Sequence, residues 1–196
     1  MIKALIQNNR TFRRFDETVK IERLQIERWL SVVRYTSSLR NIQPLKYIIV
    51  TDPEVCNQIT ANARWAGYLT EWAGPAEGER PTAYLIQLLD TDIASSARFD
   101  EGIQIEAITL MAVSDGYGAC ILRAFSTAEF ARMFDLPNNL FPNCIIALGK
   151  PVEEVVIDEA QSPADVKYWR DENGVHHVPK RPIHELIVEP NKPSIF

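Results

Sequence analysis

What this sequence lacks narrows it before any motif is read. Cysteine is sparse: Cys56, Cys120 and Cys144 lie far apart, with no CxxC pair. An odd, scattered set argues against a disulfide framework and for buried, reduced thiols. Histidine is equally scarce, with only His176, His177 and His184. Neither HExxH nor a zinc-type Cys/His spacing occurs, so no metal site is expected. No apolar run approaches the roughly 20 residues of a bilayer span, and polar Gln7-Asn8-Asn9-Arg10 stand where a signal peptide would have its apolar centre. Basic charge is not in excess: 21 Lys and Arg face 26 Asp and Glu, a formal charge of −5, the opposite of a general nucleic-acid binder. GxSxG and the P-loop pattern are absent. Gly116-Tyr117-Gly118 falls short of a dinucleotide fingerprint, because Ile121 occupies the third glycine's place and the glycines follow a helical pattern rather than a strand. These absences point to a soluble cytoplasmic protein that uses neither nucleic acid nor membrane.

What is present is an ordinary globular composition. Of 196 residues, 46% are hydrophobic and 24% charged, which suits one domain over 1–196 with a core of its own. Periodicity predicts helices over residues 2–8, 22–35, 53–64, 100–114 and 127–134, and buried strands over 46–51, 82–90, 118–124 and 143–149. Asp52-Pro53 reads as a helix cap followed by proline at the first helical position, and Ser126 with Glu129 as a capping box. In the 100–114 helix, Ile103, Ala107, Leu110 and Met111 are spaced for burial. Asn173-Gly174, between Trp169 and Val175, is a hairpin signal. Alternating strands and helices make a layered α+β or α/β domain.

Several segments carry chemistry. Arg10-Thr11-Phe12-Arg13-Arg14-Phe15 puts three guanidiniums into five residues of an acidic chain. Guanidinium and threonine hydroxyl both suit phosphate. In an extended segment Thr11 and Arg13 point one way and Phe12 and Arg14 the other. The plain alternative is a solvated charged turn. Ser37-Ser38-Leu39-Arg40-Asn41-Ile42-Gln43-Pro44 offers donors and acceptors for an amide-bearing ring just before a strand. Val178-Pro179-Lys180-Arg181-Pro182 is a stiff basic corner. Residues 65–81 form a long irregular loop with Trp65, Tyr68 and Trp72 near i, i+3 and i+7. They read either as a lid over a substrate or as interface packing. In a strand His176 and His177 face opposite ways, a poor chelate. Glu153, Glu154, Asp158 and Glu159 read as a solvated acidic face.

Taken in order, these segments resemble the nitroreductase family of FMN-dependent flavoproteins. Asn9 to Phe15 is similar to its Arg-Arg-Ser-x-Arg-x-Phe segment, and Ser37 to Leu45 to its Pro-Ser-x-x-Asn-x-Gln-Pro-Trp loop. Asp100-Glu101-Gly102-Ile103, Gly116 to Ile121, Leu148-Gly149-Lys150-Pro151 and Lys180-Arg181 follow in family order. Asn9, Ser37 and Leu45 depart from the pattern, as does Arg123, where a smaller or acidic residue is usual. The resemblance implies an α+β fold, with a central mostly antiparallel sheet flanked by helices, in an intertwined homodimer. It implies FMN as cofactor and NAD(P)H as electron donor. Arg10, Thr11 and Arg13 would approach the phosphate, ribityl chain or pyrimidine edge. Ser38, Asn41 and Gln43 would approach from the partner subunit, Arg123 and Ala124 would lie beside the flavin, and Lys180 and Arg181 would hold the phosphate. Trp65, Tyr68 and Trp72 would bound the substrate pocket. Flavin N5 carries the chemistry, so no catalytic side chain is named. The implied activity is ping-pong hydride transfer to nitroaromatic, quinone or similar small-molecule acceptors. The alternatives are a narrow-specificity flavin enzyme such as a reductive dehalogenase, a non-enzymatic FMN-binding or sequestering protein, and a scaffold that has lost flavin.

Overall fold

A computed structural model describes residues 2–190. Five strands form one antiparallel sheet. Strand β5 (Leu140–Pro151) runs through its middle. On one side it pairs with β3 (Ala83–Asp90), which pairs in turn with β2 (Leu45–Val50). On the other side it pairs with β4 (Gly118–Leu122) and, further along, with the two-residue β1 (Phe15–Asp16). Side chains of a strand alternate between faces, and β3 is apolar on both. Ala83 and Leu85 face a layer made by helices α2 (Arg23–Leu30) and α4 (Asp100–Ser114). Tyr84, Ile86 and Leu88 face a layer made by α3 (Pro53–Asn62) and α5 (Thr127–Met133). A strand buried on both faces reads as the continuous apolar run seen at 82–90. Helix α1 (Ile2–Asn8) leads into the arginine segment.

Local signals are realised where expected. Asp52 accepts from Val55 N–H with Pro53 at the first helical position, and Ser126 accepts from Glu129 N–H. The helix expected over 22–35 is instead α-helical to Leu30 and 3-10 over Ser31–Tyr35. Ser31 Oγ donates back to Arg28 O at 2.7 Å, and β-branched Val32 and Val33 follow, which favours the tighter turn. The buried stripe of α4 is Ile105, Ile108 and Ala112, with Gln104 and Thr109. Ile103 remains 40% exposed. This corrects the expected face: α4 is apolar on two sides, and the sheet takes the other one.

The C-terminal part forms a second, three-stranded sheet. Strand β8 (His176–Lys180) pairs in parallel with β6 (Val155–Glu159) and antiparallel with β7 (Trp169–Arg170). Asn173-Gly174 turns β7 into β8, with Gly174 at φ +81°. The acidic stretch 153–159 is therefore not simply a solvated face, because Glu153 is buried and Val155–Glu159 is a strand. A short helix, α6 (Ile183–Leu186), follows. No helix among the described residues is long and apolar enough to cross a membrane.

Candidate functional site

The arginine segment is held against the sheet by two glycines. A Cβ at Gly118 would run into the Phe12 ring, and one at Gly149 would lie 2.6 Å from the ring of fully buried Phe15. Glycine at these positions lets the segment lie directly on β4 and β5. Thr11 bridges Ala119, and Phe12 N–H donates to Ala119 O at 2.9 Å. With Phe12 packed against Gly118, Thr11 and Arg13 turn to the opposite side, as alternation requires. Arg14 forms a two-point ion pair with Glu79, at 2.8 and 2.5 Å. That pairing raises the guanidinium's pKa and lowers that of the carboxyl.

Thr11 and Arg13 open into a cavity of about 640 Å³. Asn9, Arg10, Thr11 and Arg13 line one wall, and Tyr168, His176, Lys180 and Arg181 line the other. Among the described residues four cations line it, and no carboxylate does. Arg13 is 7% exposed. Its Nη1 donates to His176 Nε2 at 3.0 Å, and its guanidinium lies 4.6 Å above the Tyr168 ring. Arginine can only donate, so Nε2 must be the acceptor and a neutral His176 carries its proton on Nδ1. Burial, together with Arg13 and Arg170, pushes the His176 pKa down to about 4, so the neutral ring prevails at neutral pH. Nδ1 then has no partner among the described residues, and neither does Arg10 Nε; both are buried, and both residues line this cavity.

Behind Arg13 sits Glu153, whose carboxylate is fully buried. It accepts from the backbone N–H groups of Arg13 and, at 3.2 Å, of Arg14, and from Arg170 Nη2 at 2.9 Å. Arg170 in turn stacks over Trp72 at 5.0 Å. Glu153, His176, Tyr168 and Arg170 were not legible as site residues. Glu153 meets Arg13 across 140 positions of sequence, and the hairpin signal does not say which histidine turns inward.

The remaining candidates lie elsewhere on the protomer. Ser38 Oγ donates to buried Asp100 at 2.5 Å and accepts from Gln43 N–H at 2.9 Å. Arg40, Asn41 and Gln43 all have φ between 53° and 57°, and Gln43 Nε2 donates to Asn41 Oδ1 at 3.0 Å. This exposed loop is held in shape by its own contacts and by Asp100 at the start of α4, and none of it lines the cationic cavity. Arg123 and Ala124 follow β4 and line a separate cleft. Trp65, Tyr68 and Trp72 share no helical face, because the segment is a series of turns. Trp65 is in the core, Tyr68 packs on Tyr168 with ring centroids 4.9 Å apart, and Trp72 lies under Arg170. Burial drives the three cysteines towards the neutral thiol, to about 12 for Cys56 and Cys120 and about 11 for Cys144.

The nitroreductase family model matches residues 6–150, well over half of the sequence. The chain belongs to the nitroreductase family. No curated protein matches it significantly. Solved structures carry the same fold. An FMN-dependent nitroreductase from Clostridium difficile R20291 is 18% identical over 79% of this chain and 89% of its own, with a TM-score of 0.65. A nitroreductase family protein from Clostridium difficile 630 is 20% identical over 94% and 95%, at TM-score 0.62. One from Streptococcus pneumoniae TIGR4 is 13% identical over 97% and 100%, at 0.67. The fold is thus nitroreductase-like, with helices on both faces of an antiparallel sheet. The matched stretch ends before the C-terminal sheet, whose strands and flanking residues supply Tyr168, His176, Lys180 and Arg181 to the cavity.

Proposed function

We propose that this nitroreductase family member is an FMN-dependent NAD(P)H oxidoreductase working as a homodimer. The observation that carries the reading is the cationic cavity. In a chain of net charge −5, Arg10, Arg13, Lys180 and Arg181 line one cavity with a threonine hydroxyl and two buried nitrogens that lack partners among the described residues. A phosphate dianion supplies the acceptor oxygens that these two nitrogens lack and the negative charge that the described lining does not provide. Arg10, Thr11, Lys180 and Arg181 would hold that phosphate. Arg13, fixed by His176, Tyr168 and Glu153, adds a positive field that favours a more negative, reduced flavin.

Strand β4 separates the two ends of the site. Thr11 bridges Ala119 near the start of β4, and Ala124 lies just past its end at Leu122. That separation suits an extended cofactor with phosphate at one end and ring at the other. When bound, FMN supplies hydride acceptance and donation at N5. The residues bind it, orient it and set the local charge. NAD(P)H would give a hydride and leave before a nitroaromatic, quinone or similar acceptor takes the electrons. The homodimer is supported by what the protomer leaves uncovered. Phe99, just before α4, and Ile103 on its outer side are 72% and 40% exposed. The shaped Ser38–Gln43 loop also stands free, to be laid over a second copy's flavin.

Titration of flavin-free protein with FMN and with riboflavin tests the phosphate reading. FMN should bind more tightly by two orders of magnitude or more. Equal affinity for both would refute a phosphate role for the cavity.

A further inference from the structure

A second cleft, about 540 Å³, lies at the far end of β4. Arg64, Arg123, Ala124, Phe125, Ser126 and Glu129 contribute to its lining. Its two sides are stitched together: Arg64 N–H donates to Ala124 O at 2.9 Å, and Ala63 bridges Phe125. Arg64 is thereby held next to Ala124, the residue read above as lying beside the flavin.

The two arginines are not equivalent. Arg123 donates to Glu101 at 2.7 Å and to Asn143 at 3.2 Å, so its charge is already matched. The Arg64 guanidinium has no acceptor among the described residues. Glu129, the one carboxylate in the lining, is within ion-pair distance of neither arginine. An unmatched cation in a cleft becomes more effective once a substrate displaces water from around it. Its planar fork suits a carboxylate or phosphate.

We propose that this cleft selects substrates bearing an anionic group, with Arg64 as the specificity-determining residue. Arg123, braced by Glu101 and Asn143, forms the opposite wall. The proposal rests on the flavin reading, which makes Ala124 the neighbour of the reacting ring. The anion has two possible sources, a carboxylate on the acceptor or the extra phosphate of NADPH, and both present the same chemistry to Arg64.

The test uses FMN-loaded wild type, Arg64→Gln and Arg64→Lys. One arm compares kcat/KM for 4-nitrobenzoate with that for 4-nitrobenzamide at fixed NADH. The other compares flavin bleaching rates with NADPH and NADH. The expected result is a three- to tenfold fall in the anionic-to-neutral ratio in Arg64→Gln, roughly between the worth of an exposed and a desolvated ion pair. Arg64→Lys should retain most of the preference, and added salt should erode it in the wild type. A fall confined to the NADPH-to-NADH ratio also supports the proposal and identifies the donor as the source. Both ratios unchanged in Arg64→Gln would overturn it while leaving the flavin reading intact. A wild-type protein that takes up no FMN would overturn the flavin reading first, and this proposal with it.

Discussion

Replacing Glu153 by alanine probes the joint between the arginine segment and the C-terminal sheet. The carboxylate is fully buried and accepts from two backbone N–H groups and from the Arg170 guanidinium, itself only 16% exposed. Alanine leaves both N–H groups without an acceptor and Arg170 without its countercharge. Each unsatisfied buried donor costs about 1–3 kcal/mol, and breaking a buried ion pair from one side costs about 3–5 kcal/mol. The terms share partners and do not add, so the expected loss is about 3–5 kcal/mol. That is a large part of the roughly 5–15 kcal/mol that holds a domain folded. Urea denaturation followed by fluorescence should show the midpoint falling by about 1.5–2.5 M at a slope near 2 kcal/mol/M. Glu153→Gln keeps an acceptor oxygen for the N–H groups but not the countercharge for Arg170, and should lose less than Glu153→Ala. Arg170→Met should cost less in the Glu153→Gln background than alone. A Glu153→Ala midpoint within 0.5 M of wild type, roughly 1 kcal/mol at that slope, would refute the account of this joint.

Arg10→Ala should weaken FMN binding by about 1.5–3 kcal/mol, roughly ten- to hundredfold in Kd; an unchanged fluorescence titration would remove Arg10 from the phosphate site. His176 is held near a pKa of about 4 in the folded chain against an ordinary 6.5. Between those values the unfolded chain binds a proton that the folded one refuses, so stability should fall as pH drops from about 6.5 to about 4, by roughly 1–3 kcal/mol. His176→Gln should flatten that part of the stability–pH curve, and an unaltered curve would contradict the assignment. Gly149→Ala should push on buried Phe15 and cost about 1–3 kcal/mol, read as a Tm lower by roughly 3–10 °C; an unchanged Tm would mean that the close approach is not needed.

Features encoded by neighbouring residues were legible in the sequence. Asp52 with Pro53, Ser126 with Glu129 and Asn173-Gly174 each carry their own hydrogen-bond logic within a few positions. The arginine segment was legible as alternation, with Thr11 and Arg13 turned away from Phe12 and Arg14. Features decided by distant packing were not. Helix α4 is apolar on two sides, so its spacing could not say that Ile105, Ile108 and Ala112, rather than Ile103 and Ala107, meet the sheet. Glu153 sits in an acidic run that looks solvated until the Arg13 and Arg14 backbone is folded onto it. The spacing of Trp65, Tyr68 and Trp72 looked helical, but each ring is claimed by a different surface: the core, Tyr168 and Arg170. Arg64 gave no signal, because its relation to Ala124 exists only once two loops are bridged.

The central claim is that this chain binds FMN and moves electrons through it from a nicotinamide donor. The most direct test is the visible spectrum of the FMN-loaded protein under anaerobic conditions, recorded before and after NADPH, then NADH, then a nitroaromatic or quinone. The account predicts a yellow protein that bleaches with at least one donor and recovers its colour with the acceptor. Bound flavin that stays oxidised with both donors would contradict it and leave a flavin-binding protein in its place.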